Sequence, residues 1–183
     1  FETIATGSNV AASITLSDNN AASGATLTVD ATANTSGAMV IDASNETDGA
    51  IVVNSGAGGD TLTMSQSSIG DVINAGAGTD GISAAVANLN SLDEIDGGAG
   101  TDTLTLTGGG VVADSDFTGV SNVERVAFGG STTAVVGAAY SASGIGRITL
   151  STANDSLVIG AGVTTDQTLV MQTSNDTVTA SSY

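Results

Sequence analysis

The sequence predicts an all-β fold, a parallel β-solenoid with about 20 to 22 residues in each two-strand turn. Three observations support this prediction. A short pattern of glycine and aspartate recurs between residues 51 and 106, and its aspartates are regularly spaced. Short runs rich in Thr, Val, Ile and Leu alternate apolar and polar residues between polar loops. No segment of the sequence sustains the apolar spacing of a helix.

The recurring pattern is written three times, at residues 55–63, 75–83 and 97–105, as SGAGGDTLT, AGAGTDGIS and GGAGTDTLT. These copies match the nonapeptide G-G-x-G-x-D-x-U-x of calcium-binding parallel β-rolls. The third copy matches at every position, whereas the first two begin with Ser55 and Ala75 instead of glycine. Each copy places two glycines and an aspartate in a tight loop, followed two positions later by an apolar residue predicted to point into the core.

The spacing of the aspartates gives the architecture. Asp60 and Asp80 are 20 positions apart, and Asp80 and Asp102 are 22 apart. Two adjoining nonapeptides would instead repeat at about 18 positions. One aspartate therefore recurs per full turn, each turn holds two strands, and the loops stack along one edge.

The rest of the chain follows the same rhythm less regularly. Apolar residues of the amino-terminal strands recur at intervals of 11 positions, at Val29, Val40, Ile51 and Leu62. The longest interruption lies near residues 108–121, where Phe117 is expected to fold over the end of the core; a ligand groove is the alternative. The predicted strands outside the three loops are 13–17, 25–30, 37–42, 49–54, 122–128, 147–151 and 168–172.

The sequence is read as a single domain over residues 1–183. Residues 1–54 form irregular turns, 55–106 the calcium-loop turns and 107–183 degenerate turns. The chain starts at Phe1 without a methionine or a visible signal peptide, so it is expected to be a mature protein or a segment of a longer one.

The composition restricts the partners. The formal charge is −17, and Arg125 and Arg147 are the only basic residues. Nucleic acids and anionic membranes require Lys and Arg, so neither is an expected partner. No apolar run reaches the roughly 18 residues of a transmembrane helix. A strongly acidic surface instead favours divalent cations, and the absence of cysteine is compatible with an oxidising exterior.

The three loops are the predicted metal site. Calcium takes oxygen ligands at roughly 2.3–2.6 Å from carboxylates and backbone carbonyls. The aspartates would supply the charged oxygens, and the glycines, which tolerate positive φ, would turn their carbonyls toward a common point between loops. Residues just before each glycine pair are further oxygen donors. The predicted calcium ligands in these loops are Asp60, Asp80, Asp102, Gly56, Gly58, Gly76, Gly78, Gly98, Gly100, Asn54, Asn74 and Asp96.

Two more aspartates extend the prediction. Asp155 and Asp176 are 21 positions apart, and each is followed two positions later by an apolar residue. They are predicted as further calcium ligands on the edge that carries Asp60, Asp80 and Asp102, although a plain Asx-turn explains them as well. For all these loops the alternatives are tight turns without metal or, in the metal-free state, a disordered acidic segment. Magnesium and zinc are not favoured. Magnesium demands a small octahedral shell, and zinc would need His or Cys, which the sequence lacks.

The loops at 55–63, 75–83 and 97–105, followed by FTGVSNVERV at 117–126, resemble the RTX-type repeats of bacterial proteins secreted by type I systems. The bias toward Ser, Thr, Ala and Gly and the near absence of Lys and Arg look most like the surface-layer proteins of that group. The resemblance implies a right-handed, calcium-dependent β-roll at the bacterial cell surface that assembles into a lattice or fibre of identical subunits.

Three functional classes follow. The first is an extracellular, self-assembling surface-layer or filament subunit, with cell-surface polysaccharide as a possible further partner. The second is the RTX module of a secreted adhesin, against which stands the scarcity of aromatic residues that could hold sugars. The third is an enzyme acting on polysaccharide, for which only a carboxylate pair such as Asp114 and Asp116 could serve as acid and base. The sequence favours the first, and predicts no enzyme.

Overall fold

A computed structural model describes residues 2–7 and 9–181, and it confirms the predicted fold class. The chain is nearly all-β and forms a β-solenoid of about 8 turns. No helix among the described residues is long and apolar enough to span a membrane.

Over residues 2–7 and 9–181, the solenoid consists of twenty short strands, a 3₁₀ helix (Asp114–Phe117) and a helix α1 (Ala138–Ala142). The strands are β1 (Glu2–Ala5), β2 (Ala12–Ser17), β3 (Thr26–Asp30), β4 (Met39–Asn45), β5 (Ala50–Asn54), β6 (Thr61–Thr63), β7 (Val72–Asn74), β8 (Ala77–Gly78), β9 (Gly81–Ala85), β10 (Glu94–Asp96), β11 (Ala99–Gly100), β12 (Thr103–Thr107), β13 (Gly110–Val112), β14 (Val120–Ser121), β15 (Arg125–Phe128), β16 (Thr132–Val136), β17 (Arg147–Thr149), β18 (Ser156–Ile159), β19 (Thr168–Val170) and β20 (Thr177–Ala180).

These strands form four parallel sheets. Sheet A has the order β1-β3-β5-β7-β10-β14, and sheet B the order β2-β4-β6-β9-β12-β15-β17-β19. Sheet C is the pair β8-β11, and sheet D has the order β13-β16-β18-β20. The chain alternates between sheets A and B through the first turns, and sheet D joins the cross-section after β12.

The core consists of apolar residues stacked in register from turn to turn. In sheet B one row runs through Ile41, Leu62, Ile82, Leu104, Val126 and Ile148. The facing row in sheet A runs through Val29, Val53, Ile73, Ile95 and Val120. All these residues are buried, and each such side chain contributes roughly 1.5–3 kcal/mol by leaving water. The prediction that Leu62, Ile82 and Leu104 point into the core is confirmed.

The amino-terminal turns are longer than the predicted period. Ile14 pairs with Ile41, which lies 27 positions further on, and Leu27 pairs with Ile51, 24 positions further on. Val40 lies outside the core: it is 44% exposed, and its neighbour Ile41 occupies the core row. The interval of 11 positions therefore holds only approximately, since loops of different lengths connect these strands.

The interruption near residue 108 changes the cross-section of the solenoid. Gly108, Gly109 and Gly110 all have positive φ, and this turn leads directly into sheet D. Phe117 lies in the 3₁₀ helix and is fully buried. The prediction that Phe117 folds over the end of the core is wrong. Its ring packs edge-to-face on Tyr140 of the next turn, with ring centroids 5.2 Å apart, so the core continues beyond it.

Helix α1 was not predicted, since five residues are too few for a helical pattern. The preceding turn caps it: the carboxylate of Asp114 accepts hydrogen bonds from the N–H groups of Gly137 (2.6 Å), Ala139 (3.1 Å) and Tyr140 (3.0 Å). Asp116 accepts one from Ala113 (2.8 Å). Both carboxylates of the supposed acid and base pair therefore hold the backbone.

The alternative of a ligand groove at this turn stays a prediction. An open groove of about 360 Å³ lies beside β14, lined by polar residues that include Glu94, Asp96 and Thr118. The buried Phe117 does not contribute to its wall.

The three glycine loops, residues 55–60, 75–80 and 97–102, connect strands of sheet A to strands of sheet B and stack closely; together they are called the glycine corner. Their backbones approach so closely that a side chain would not fit at several of the glycine positions. A Cβ atom added at Gly98 would lie 1.9 Å from the carbonyl oxygen of Gly76, and one at Gly100 would lie 1.6 Å from that of Gly78. Glycine is therefore required here for space as well as for its positive φ.

Two glycines with the same φ allow the need for space to be measured separately from the need for positive φ. Gly98 and Gly108 both have φ +83°, but no atom lies within 4 Å of a Cβ added at Gly108. We expect Gly108→Ala to cost about 1–2 kcal/mol of unfolding free energy for the left-handed backbone. Gly98→Ala should cost a further 1–3 kcal/mol or so because the loops must move apart. Urea unfolding measures both, and equal costs would contradict the close stacking.

Candidate metal centre

The aspartates of the glycine corner form a ladder with the backbone of the neighbouring turn. The N–H of Met39 donates to Oδ1 of Asp60 (2.7 Å), that of Asp60 to Asp80 (2.7 Å), and that of Asp80 to Asp102 (2.8 Å). The N–H of Asp102 donates to Glu124 (2.8 Å), which continues the ladder. One oxygen of each carboxylate is thus committed to holding two turns together. These four acidic residues are called the glycine-corner ladder.

The second carboxylate oxygen of Asp60 is hydrogen-bonded, whereas those of Asp80 and Asp102 are not. Oδ2 of Asp60 accepts a hydrogen bond from the hydroxyl of Ser55. The position of Ser55 is taken by Ala75 in the second loop and by glycine in the third, and neither offers a hydroxyl. As a result, Oδ2 of Asp80 and Oδ2 of Asp102 are buried without a hydrogen-bond partner among the described residues.

Burial and neighbouring negative charges make the ionised form of these two carboxyl groups unfavourable. Burial, together with the adjacent carboxylates of Asp102 and Asp60, raises the pKa of Asp80 to about 6, against the lowering effect of the hydrogen bond from the Asp60 N–H. Burial also raises the pKa of Asp102, with Glu124 and Asp96 adding to the effect. A buried carboxylate beside like charges gains stability from either a proton or a cation.

Two of the glycine carbonyls, those of Gly56 and Gly76, behave differently from the prediction. The carbonyl oxygen of Gly56 accepts the N–H of Ala77 (3.0 Å), and that of Gly76 accepts the N–H of Ala99 (2.8 Å). These carbonyls therefore point along the stack into a short backbone ladder and do not converge on a common point. Gly58, Gly76, Gly78, Gly98 and Gly100 have positive φ as expected, whereas Gly56 does not.

Asn54, Asn74 and Asp96 are aligned in register at the ends of sheet A strands. They alternate with buried core residues and so lie on the outer face of the sheet. The amide of Asn74 donates to Oδ1 of Asn54 (2.7 Å), and that of Asn122 donates to Oδ1 of Asp96 (2.7 Å). Their oxygens are partly used within this outer row, and Asp96 lies near enough to Asp102 to influence its pKa.

The predicted location of Asp155 and Asp176 is wrong. Both precede strands of sheet D, whereas Asp60, Asp80 and Asp102 precede strands of sheet B. Asp155 accepts the N–H of Thr132 (2.7 Å), and Asp176 accepts that of Asp155 (3.0 Å). They form a separate ladder because the chain turns from sheet B to sheet D at this corner. Oδ2 of Asp176 is buried without a partner.

A further ladder, Asp71 and Asp93, was missed by the sequence analysis. The N–H of Ile51 donates to Asp71 (3.0 Å), and the N–H of Asp71 donates to Asp93 (2.9 Å). The remaining oxygens accept the N–H groups of Ser65 (2.9 Å) and Asn90 (2.8 Å). The spacing of 22 positions was the available signal, but these loops lack the glycine pattern.

One acidic cluster lies outside the ladders. Carboxylate oxygens of Asp18, Glu46 and Asp48 lie within 4.8 Å of one another. Glu46 is buried, and its carboxylate already accepts the N–H groups of Ala21 (3.2 Å) and Gly49 (3.0 Å). This cluster is explained by those hydrogen bonds.

The ladders differ in how many of their carboxylate oxygens receive a hydrogen-bond donor. Both carboxylates of the Asp71–Asp93 ladder have donors for both oxygens, so that ladder is complete in itself. In the glycine-corner ladder, Asp80 and Asp102 each retain a buried, anionic oxygen with no donor. Buried carboxylate oxygens are ligands of the kind that calcium takes, and Asp80 and Asp102 are the residues that could supply them here.

The serine position gives a direct test of this difference. We expect Ala75→Ser to supply Asp80 with the hydroxyl that Ser55 gives Asp60, and to raise the stability of the metal-free protein by about 1–3 kcal/mol. Ser55→Ala should lower it and increase the stabilisation by added calcium. Denaturant unfolding in chelator and in calcium measures both, with Ala84→Ser as a buried control far from carboxylates. The same calcium response in all four proteins would contradict the assignment.

The buried Asp71 gives a pH prediction. Burial raises the pKa of its carboxyl from 3.8 to about 6, so the folded state binds a proton more tightly than the unfolded state. Its contribution to stability is complete below about pH 4 and is lost as pH rises through about 6. In chelator, we expect the urea concentration at the unfolding midpoint to increase when the pH is lowered from about 7 to about 5. This increase should be smaller for Asp71→Asn than for the exposed control Asp166→Asn. Identical pH profiles would refute the prediction.

The chain was compared with known proteins at three levels. No family model, no curated protein and no solved structure matches it. A proposal about its function therefore depends on the ladders and faces of the solenoid and on the resemblance of its loops.

Proposed function

We propose that this chain is a calcium-stabilised structural solenoid of a secreted protein, a building unit of a self-assembling surface layer or filament on the bacterial cell surface. The carrying observation is the pair of buried oxygens without donors, Oδ2 of Asp80 and Oδ2 of Asp102. A calcium ion held by them would neutralise charge within the stack and join consecutive turns. Extracellular fluids supply calcium at the concentrations that such weak modular sites require.

Charge relief links calcium to assembly. A subunit with a formal charge of −17 repels its copies at distances near the Debye length, ~8 Å in physiological salt. Bound calcium lowers that charge as it stabilises the fold. Calcium therefore favours association of subunits in the same step in which it completes each solenoid.

The shape of the molecule is compatible with a structural role. In the described residues, strands β1, β2, β19 and β20 each lie at the edge of a sheet. An edge of this kind is completed either by further turns of the same chain or by another copy. The acids of the supposed catalytic pair, Asp114 and Asp116, are engaged with backbone N–H groups, as described above.

Calcium binding is expected to control the fold. In chelator we expect the β signal in circular dichroism to weaken and the melting temperature to fall, and calcium should restore both. Asp80→Ala should reduce the calcium stoichiometry measured by calorimetric titration, whereas Asp166→Ala, at an exposed position, should not. A metal-free protein with an unchanged spectrum and melting temperature, or an unchanged stoichiometry in Asp80→Ala, would contradict the proposal.

Assembly is expected to require calcium. Light scattering and electron microscopy of the purified protein should reveal ordered sheets or fibres in millimolar calcium and their disappearance in chelator. Magnesium at the same concentration serves as the control for charge screening. A protein that stays monomeric at high concentration across millimolar calcium would favour the adhesin module instead.

A further inference from the structure

The outer face of sheet B differs in charge from the rest of the molecule. Side chains on this face alternate with the buried core row, and most of them are Thr, Ser, Ala or Gly. The whole sequence contains 19 acidic residues, but the strands of sheet B contain only Asp42. The same strands contain both arginines of the protein, Arg125 and Arg147.

The two arginines stand side by side and lack a carboxylate partner. Arg125 on β15 pairs in register with Arg147 on β17, and both are exposed. Neither forms an ion pair with any of the described residues. Adjacent strands are about 4.8 Å apart, and like charges directly opposite each other on a sheet are destabilising. A carboxylate placed over the pair would relieve this repulsion and accept hydrogen bonds from both guanidinium groups.

The arrangement on this face is self-complementary. Asp42 lies on β4, and the strand order β4-β6-β9-β12-β15 places β9 midway between Asp42 and Arg125. A two-fold axis along β9 would bring two such faces together with β4 of each copy opposite β15 of the other. The centre would be occupied by Gly81 and Ser83, whose small side chains allow close approach.

We propose that two copies of this chain pack through the outer faces of sheet B, with Asp42 of each copy meeting Arg125 and Arg147 of the other. This inference rests on the proposed self-assembly and assigns one of its lateral contacts. The contact is isologous, because a two-fold axis places the same patch on both sides.

Charge complementarity selects both the partner and the orientation. All charged residues of the protein other than the two arginines are acidic, so a contact between two faces that both lack the arginines brings acid against acid or neutral surface. An axis along the solenoid would place the arginines of the two copies over one another. The axis along β9 avoids this repulsion and forms the acid–base contact twice.

The size of the face determines the strength of the contact. Eight strands about 4.8 Å apart and a few residues wide give a face of roughly 35 Å by 15 Å, which would bury roughly 1,000 Å² in total. This is at the lower end for a specific interface. The isolated dimer is therefore weak, and it becomes populated within an assembly where several contacts act together.

Cross-linking tests the axis directly. The protein contains no cysteine, so Ser83→Cys introduces a single thiol near the proposed axis. In calcium, a short bismaleimide should join two Ser83→Cys chains efficiently. Thr133→Cys, at an exposed position on sheet D, should give little product. Circular dichroism checks that both variants retain the β fold.

A matched pair of charge variants tests the arginines. Replacing Arg125 and Arg147 by Gln changes the formal charge from −17 to −19. Thr133→Glu with Thr177→Glu gives the same net charge on sheet D. We expect the arginine variant to lose at least about tenfold in cross-linking through Ser83→Cys and to associate more weakly in sedimentation. The sheet D variant should behave like the wild type.

The possible results separate the two proposals. Assemblies of wild-type protein without cross-linking at Ser83→Cys, or equal loss in both charge variants, would overturn the contact and leave calcium-dependent assembly intact. Wild-type protein that stays monomeric would overturn both. Binding of polygalacturonate that requires the arginines, with cross-linking unaffected by their replacement, would assign the pair to an acidic polysaccharide and overturn the contact.

Discussion

The hydrogen bond from a backbone N–H of one turn to a carboxylate of the next turn is the interaction on which the stacking of this solenoid depends. Several strands, such as β6 and β7, have only three residues and offer few backbone hydrogen bonds of their own. A slip of one residue would move the core row to the outer face. The carboxylate ladders at three corners oppose such a slip, because each acidic side chain reaches one particular N–H across the interval between turns.

The same interaction explains why the ladders differ in chemistry. A carboxylate that receives donors for both oxygens, such as Asp71, is a structural element. Asp80 is as buried as Asp71, and its pKa is similarly raised, but only one of its two carboxylate oxygens receives a hydrogen-bond donor from the described residues. Counting the donors for each oxygen therefore distinguishes the two corners, whereas burial and pKa alone do not.

Much of the fold could be predicted from the sequence because the three glycine loops recur with their apolar residues in phase. The loops fix the period, the position of the inward row and the corner at which Asp60, Asp80 and Asp102 lie. The sequence did not reveal Glu124, because a longer side chain replaces aspartate where the glycine pattern ends. It also misplaced Asp155 and Asp176, since spacing along the chain does not distinguish one corner from another. Helix α1 escaped notice because its cap, Asp114, belongs to the preceding turn.

The hydroxyl at position 55 has a consequence for solenoids built from longer arrays of such loops. Five positions before each ladder aspartate, a single small residue decides whether the second carboxylate oxygen of that turn has a donor or, if the proposed calcium binding holds, depends on a dissolved ion. The backbone and the register are the same in both cases, because the choice lies in one side chain. An array could therefore confine its ion requirement to a chosen segment, so that some turns stay folded when the ion is withdrawn while their neighbours loosen.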